Sequence, residues 1–430
     1  MKLLPGGLLP AETWRRNQYV TAAVVFVVFT GFAFVVPFLP LYVRELGVED
    51  EGAAALWAGV LIGVSPLLAG LLAPVWGRLA DRHGQKRMAV RMMLSYVVLL
   101  ALSAFATNVG QLLALRVGVG LFGGIGPLGL AMATRLAPRE QTGRAVGIIQ
   151  SAQILSAAVG PFMGGALADT IGMRPTFVVT AAVCALALLL LIRGYDEGPP
   201  ETATPDQARA AFREILRIPR VPALLAVLFL VNFVARSFTP ILPLHLLRLG
   251  VASSRLALAT GALISIYSVT AALSASVLGR ATRRYPARRL MVATLVAGAA
   301  TVLPMAFVPG YGGFLALATL LGLSSGGSLT LGYTMGGLLV PAPRRTTAFG
   351  FFSGAALFGG ALSPSVAGFL AHWELRGIYY LDAAILLALA AALLAGREPA
   401  PGAEPGVGPG GRGERDRPAP PASEPRGGSR

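Results

Sequence analysis

Apolar runs long enough to cross a lipid bilayer recur twelve times along this chain of 430 residues. No other feature limits its fold so sharply. A bilayer's hydrocarbon core takes ~20 residues of helix to cross, and there every backbone polar group must be satisfied within the protein, which leaves helices or closed barrels. The runs are continuous in Leu, Ala, Val and Gly rather than alternating, so helices are expected. Composition agrees: 13% of residues are charged, whereas a soluble domain carries about 25%. The expected fold class is an all-α integral membrane protein. Its spans lie near 18–43, 53–77, 88–107, 109–133, 144–167, 174–193, 221–247, 256–279, 289–308, 311–340, 346–370 and 377–395. The turns at Asn108 and Pro309 are very short. No removable signal peptide is read in MKLLPGGLLPAETWRRNQ, which lacks an apolar core and cleavage site.

The net charge of +16 resembles a nucleic-acid signature, but its placement points elsewhere. Of the 36 basic residues, 29 fall in segments on the N-terminal side of the bilayer and five on the other; Arg116 and Arg236 lie within spans. The positive-inside rule then puts both termini in the cytoplasm, which requires an even number of spans. No nucleic-acid partner is expected. Cys184, the single cysteine, lies in an apolar run and reads as a packing residue.

The two halves repeat at an offset of 202–203 residues. PFLPLYVRELGV at 37–48 returns as PILPLHLLRLGV at 240–251, GRLADRHGQKR at 77–87 as GRATRRYPARR at 279–289, and VGPFMGG at 159–165 as LSPSVAG at 362–368. Two six-helix bundles with a path at their interface is a transporter architecture. The expected organisation is a bundle over 1–193, a cytoplasmic linker over 194–220, a second bundle over 221–395 and a disordered tail over 396–430. QARAAFREILR in the linker has the pattern of a surface amphipathic helix.

GRLADRHGQKR resembles the loop signature of the major facilitator superfamily, matched by Gly77, Asp81, Arg82, Gly84, Lys86 and Arg87. Span 4 supplies that family's Arg-x-x-x-Gly as Arg116 and Gly120. Span 5 resembles its exporter motif through Gly160, Pro161, Gly164 and Gly165, with Ser156 where the motif opens on glycine. The resemblance covers 18–395 and is close to the twelve-spanner drug:proton antiporters. It implies the family's fold of two pseudo-symmetric bundles and multidrug efflux by alternating access, with protons and a small-molecule substrate as partners.

The residues can also be read for themselves. Asp81, among Arg78, Arg82, Lys86 and Arg87, is placed to latch onto the N-terminus of span 11 near Thr346. Gly77 and the Gly-Pro run suit close helix packing, and Pro161 a bend. Arg116, costly inside a membrane, is expected to face a cavity, held by the carbonyls of Ala33 and Val36 that Pro37 and Pro40 free. Asn232 and Arg236 lie one turn apart in span 7, and Asp382 in span 12, shallow on the outer side and read as a peripheral acid, is the one intramembrane carboxylate, a doubtful partner for Arg236. Two buried arginines favour anionic, zwitterionic or neutral cargo, with Gln150, Gln153, Tyr267 and Tyr333 available for orientation. Asp81, Asp382 and Glu140 are the candidates for a coupling proton. His83, His245 and His372 read as solvated.

No metal-ligand spacing, P-loop or Ser/His/acid set appears. The expectation is therefore no enzyme, no metal and no cofactor beyond a proton gradient. A bacterial inner-membrane monomer is expected, since high Ala, Gly and Arg with two lysines suggests a GC-rich genome. The rival readings are a sugar or metabolite importer and a non-transporting sensor on the same scaffold.

Overall fold

A computed structural model describes residues 11–135, 141–197, 217–340 and 345–395. Glu140, the tail, most of the linker with its expected surface helix, and the side chains of Asp81 and Thr346 lie outside the description. The described regular structure is helical throughout.

Glycine and proline set where the helices break. Span 1 comprises Ala11–Val35 and Leu39–Glu45, with Pro37 in the gap and Pro40 in the new first turn, where a missing N–H costs nothing. Span 7 repeats this as Val221–Ser237 and Leu242–Arg248, bent by 44°. Span 4 breaks at Gly123–Gly124 into Val109–Phe122 and Ile125–Arg135, and span 10 at Gly326–Gly327 into Tyr311–Ser325 and Ser328–Leu339. The unbroken spans are Glu51–His83, Gln85–Ser103, Thr142–Ile171, Met173–Gly194, Leu256–Ala281, Ala287–Met305, Arg345–Trp373 and Gly377–Ala395. Gly84 and Gly172 alone join spans 2 to 3 and 5 to 6, each at φ +94°, a conformation that favours glycine.

Among the described residues nine helical segments are long and apolar enough to cross a bilayer, and the bent pair of span 7 makes ten. The other two crossings are span 3, whose first turns carry Lys86, Arg87 and Arg91, and the halved span 4.

The internal repeat holds at the level of single contacts. In the first half Ser156 Oγ meets the Phe26 carbonyl at 2.8 Å; 203 residues on, a β-carbon at Gly359 would meet the Phe229 carbonyl. Gly160 packs on Thr30, and its counterpart Ser363 donates to the Phe233 carbonyl at 2.5 Å. Gly165 abuts Ala257, while Gly368 abuts Ala55. Gly261 abuts Pro161, while Gly59 abuts Pro364. Span 5 therefore grips spans 1 and 8 as span 11 grips spans 7 and 2.

A stripe along span 2 shows where the halves meet. Gly52 packs on His372, Gly59 on Pro364, Gly63 on Ala361 and Gly70 on Leu357, whereas nothing lies within 4 Å of a β-carbon at Gly77. The same is true of Gly147 on span 5 and of Gly350 and Gly354 on span 11. Polar links between the halves join the same end as Gly52: Arg248 to Glu51 at 2.8 Å, Leu258 N to Asp169 at 2.8 Å, and Phe162 N to Ser265 Oγ at 3.1 Å. The halves are thus closed at the arginine-poor end and parted toward the arginine-rich end.

Candidate functional site

The loop between spans 2 and 3 is held by an acid that motif reading overlooks. Glu197, just past span 6, accepts from Lys86 N at 3.2 Å, a carboxylate at the start of span 3 where the helix dipole favours it. A β-carbon at Gly84 would sit 2.8 Å from that carboxylate, so this position requires glycine for space as well as for its φ. Asp196 binds Arg16 and exchanges two hydrogen bonds with Asn17, at 2.8 and 3.0 Å. Tyr195 is fully buried, so the chain stays docked on the first half beyond the expected start of the linker. Arg82 and Arg87 are exposed and Lys86 half-buried. Gly77 borders a small pocket with Trp76, Gln85 and Met92 rather than packing on the other half. Two acids directly after an apolar span, opposite a basic loop, were the available signal.

The span 5 motif works on two faces at once. Ser156, Gly160 and Gly164 recur every four residues and form one stripe against span 1, where a β-carbon at Gly164 would run into the Phe34 backbone. Pro161 and Gly165 form the neighbouring stripe, backbone to backbone against Gly261 and Ala257 of span 8. Small residues permit this approach where lipid supplies no hydrophobic drive. Ser156, the departure from the motif, sets its hydroxyl between the Phe26 carbonyl of span 1 and, at 2.7 Å, the Ala152 carbonyl of its own helix. Ser156→Ala is expected to lower stability by about 0.6 kcal/mol, typical of hydroxyl bonds between membrane helices, as read from the denaturation midpoint in mixed micelles. An unchanged midpoint would show the bond to be idle.

Arg116 is buried at 5% exposure, stacked with Gly120 on span 2. Its own carbonyl accepts from Ser65 Oγ at 2.7 Å, and Gly120 leaves no room beside Ser65 and Leu68. Gly120 is thus a packing position rather than a cavity wall. No bond from Arg116 to the Ala33 or Val36 carbonyl is seen among the described residues, where its Nε and one terminal nitrogen find no partner. Ala33 instead supplies a methyl group against Gly160.

Arg236 departs from the expectation of two buried arginines: it is exposed. It lies with Asn232 beside Gly360, one residue from the Ala361 contact with Gly63, and so sits where the halves begin to part. Asn232 Nδ2 donates to the Ala356 carbonyl at 2.5 Å. Asp382 is fully buried, not peripheral, and takes the Ser237 hydroxyl instead of Arg236. Gln150 is exposed, and Gln153 faces Gly126 beside the break in span 4. Tyr267 meets Phe238 edge to face and Tyr333 lies tilted against Phe349. His245 corrects the solvated reading, being buried at 4% exposure between Phe314 and Tyr379. His83 is exposed, and His372 lies 3.9 Å from Asp50.

Paired half-bundles, a broken first helix in each and a glycine seam at one end describe a rocking transporter. The family model described as Major Facilitator Superfamily matches residues 21–264 and 253–422. The chain belongs to the major facilitator superfamily. Among this superfamily's curated members, Multidrug resistance protein MdtG of Proteus mirabilis (strain HI4320) is 30% identical over 378 residues, covering 87% of this chain and 94% of its own length. The multi-drug resistance efflux pump PmrA homolog of Lactococcus lactis subsp. lactis (strain IL1403) is 35% identical over 297 residues, 69% of this chain and 73% of its own. The fold is similar to a bacterial homolog of the human lysosomal transporter Spinster, solved inward-facing and unoccupied. That likeness has a TM-score of 0.75 at 18% identity, covering 90% of this chain and 97% of that one. This superfamily member is a multi-pass membrane transporter of small molecules.

Proposed function

We propose that this transporter exports small molecules across the bacterial inner membrane by proton-driven antiport. Its basic end and both termini face the cytoplasm, and the conformation described here opens inward. The observation that carries the reading is the double-sided span 5 seam, in which Pro161 and Gly165 meet span 8 while Gly160 and Gly164 hold span 1. A backbone-tight closure on the outer side keeps ions from leaking while cargo enters from the cytoplasm, as an exporter needs. The curated relatives named for multidrug resistance support the same direction.

Cargo charge follows from what lines the parting of the halves. Arg236 is exposed there, Arg116 is buried in the first half without an acid partner, and Asp382 is sealed away. The path is positive, which favours anionic, zwitterionic or neutral cargo over lipophilic cations.

Inverted membrane vesicles test both points. With an inside-acid gradient, carboxyfluorescein is expected to accumulate in vesicles bearing the transporter and ethidium to accumulate far less. Accumulation only when the gradient is reversed would point to an importer. No gradient-driven movement of either dye would remove the proton-coupled reading.

A further inference from the structure

Four buried polar atoms without a partner belong to three side chains of the second half that are linked through Tyr379. Asp382 on span 12 is fully buried; one carboxylate oxygen accepts from Ser237 Oγ, and its Oδ1 has no partner among the described residues. Tyr379 lies three residues earlier on the same helix, hence on the same face, with its hydroxyl also buried and unpartnered. His245, from the second helix of span 7, sets its ring 5.4 Å from that of Tyr379 and 5.0 Å from Phe314, with neither ring nitrogen bonded. Native interiors leave few such atoms unsatisfied, and ordered water commonly serves buried groups of this kind.

The surroundings of Asp382 supply no countercharge. Tyr267 of span 8 lies within electrostatic reach of both Asp382 and Arg236, while Arg236 itself is exposed and Ser237, its neighbour, takes the carboxylate. Arg248 and Arg376 act on His245. Span 9, packed along span 12, bears its arginines, Arg288 and Arg289, only at its far end. Span 10 offers Tyr311, bonded to the Ala259 carbonyl, and span 11 offers His372, turned to Asp50 at the outer seam. No group of three or more metal-ligating residues occurs among the described residues. An unpaired carboxylate out of water is costly, and one hydroxyl does not neutralise it. Ser237 is also the last residue before the break in span 7, and its hydroxyl lies 2.9 Å from the Val234 carbonyl as well. The hydroxyl therefore has an alternative acceptor to turn to when span 7 bends.

We propose that Asp382, bonded to Ser237 and followed on its own helix face by Tyr379, which packs on His245, is the proton-binding site of this transporter, reached from the outer end by way of His245, Tyr379 and bridging water. Uptake places a proton on Oδ1 and converts the carboxylate to the neutral acid. Release returns the proton to water on the side of the parted halves, with no other bond made or broken. The coupling role rests on the antiport reading above; the proton site itself does not.

Infrared difference titration of the full chain in lipid nanodiscs tests the site, with pH as the only variable. The wild type is expected to show a buried carboxylic-acid C=O band that titrates, Asp382→Asn to lose it, and Ser237→Ala and His245→Gln to shift its midpoint. A band that survives Asp382→Asn overturns the proposal. Should Asp382→Asn fail to insert, an unmoved midpoint in both other variants overturns it instead. In the vesicle assay Asp382→Asn is expected to lose gradient-driven uptake of the dye the wild type moves, while exchange of that dye without a gradient continues. Retained gradient-driven uptake overturns the coupling role. A titrating band lost in Asp382→Asn, in a wild type with no gradient-driven transport, supports the site and refutes antiport.

Discussion

Gly261→Val is expected to abolish efflux while leaving insertion intact. A β-carbon at Gly261 would lie 2.7 Å from the Pro161 carbonyl carbon and 3.2 Å from the Phe162 Cα, both backbone atoms that cannot step aside. Overpacking of this kind costs about 3 kcal/mol, and because only the state closed at this seam bears the cost, the ratio of the two states shifts about a hundredfold. The protein would then accumulate open to the outside and stop cycling. A cysteine at Ala361, 2% exposed in the opposite seam against Gly63, reports this in a Cys184→Ser background. Its labelling by an impermeant maleimide from outside should rise sharply in Gly261→Val. Efflux at the wild-type rate in that variant would mean that the seam is not a gate.

Arg236→Glu is expected to invert the charge preference of the path. A monovalent anion ~8 Å from a guanidinium gains about 2 kcal/mol at an effective dielectric of ~20. Water in the open end screens part of this, leaving about a tenfold rise in KM for carboxyfluorescein and a gain of ethidium transport. The mechanism predicts that kcat for the pH-gradient cycle changes less than KM, since Arg236 does not touch the buried carboxylate. An unaltered ratio of the two dyes would show that cargo is selected elsewhere.

Much of this was legible in the residues themselves. The offset of 202–203 residues set Pro37 and Pro40 in register with Pro240 and Pro243, and both helices break there in the same way, although spans 1 and 7 were each expected as one run. The Gly-Pro-x-x-Gly-Gly run announced tight packing through its composition alone. What it could not announce was that alternate members face different neighbours, Gly164 toward span 1 and Gly165 toward span 8. Adjacent residues on a helix lie 100° apart, and which direction meets which partner depends on how the whole helix is rotated. Arg236 and Asp382 illustrate the same limit. Depth along each helix was countable at 1.5 Å per residue, but azimuth was not. The exposed arginine was therefore expected to be buried, and the sealed carboxylate was placed at the periphery.

His245 and Glu197 were misread or missed for a related reason. Each stands near a membrane surface, where solvation is the ordinary fate of a polar side chain, and only contacts from distant segments withdraw it. Phe314 and Tyr379 close over the histidine, and the spans 2–3 loop, 111 residues away at Lys86, captures the glutamate.

The residue order by itself determined that the chain crosses a membrane about twelve times, that one side carries nearly all the arginine, and that two copies of one unit are present. These follow from transfer free energy and charge, which add up locally along the chain. Tertiary structure alone decided which end is shut, which glycines form the seam, and that Asp382 is buried against Ser237 while His245 packs on Tyr379. Such outcomes rest on helix rotation and on pairings such as Ser365 with Gly59, 306 residues apart, for which local composition carries no record.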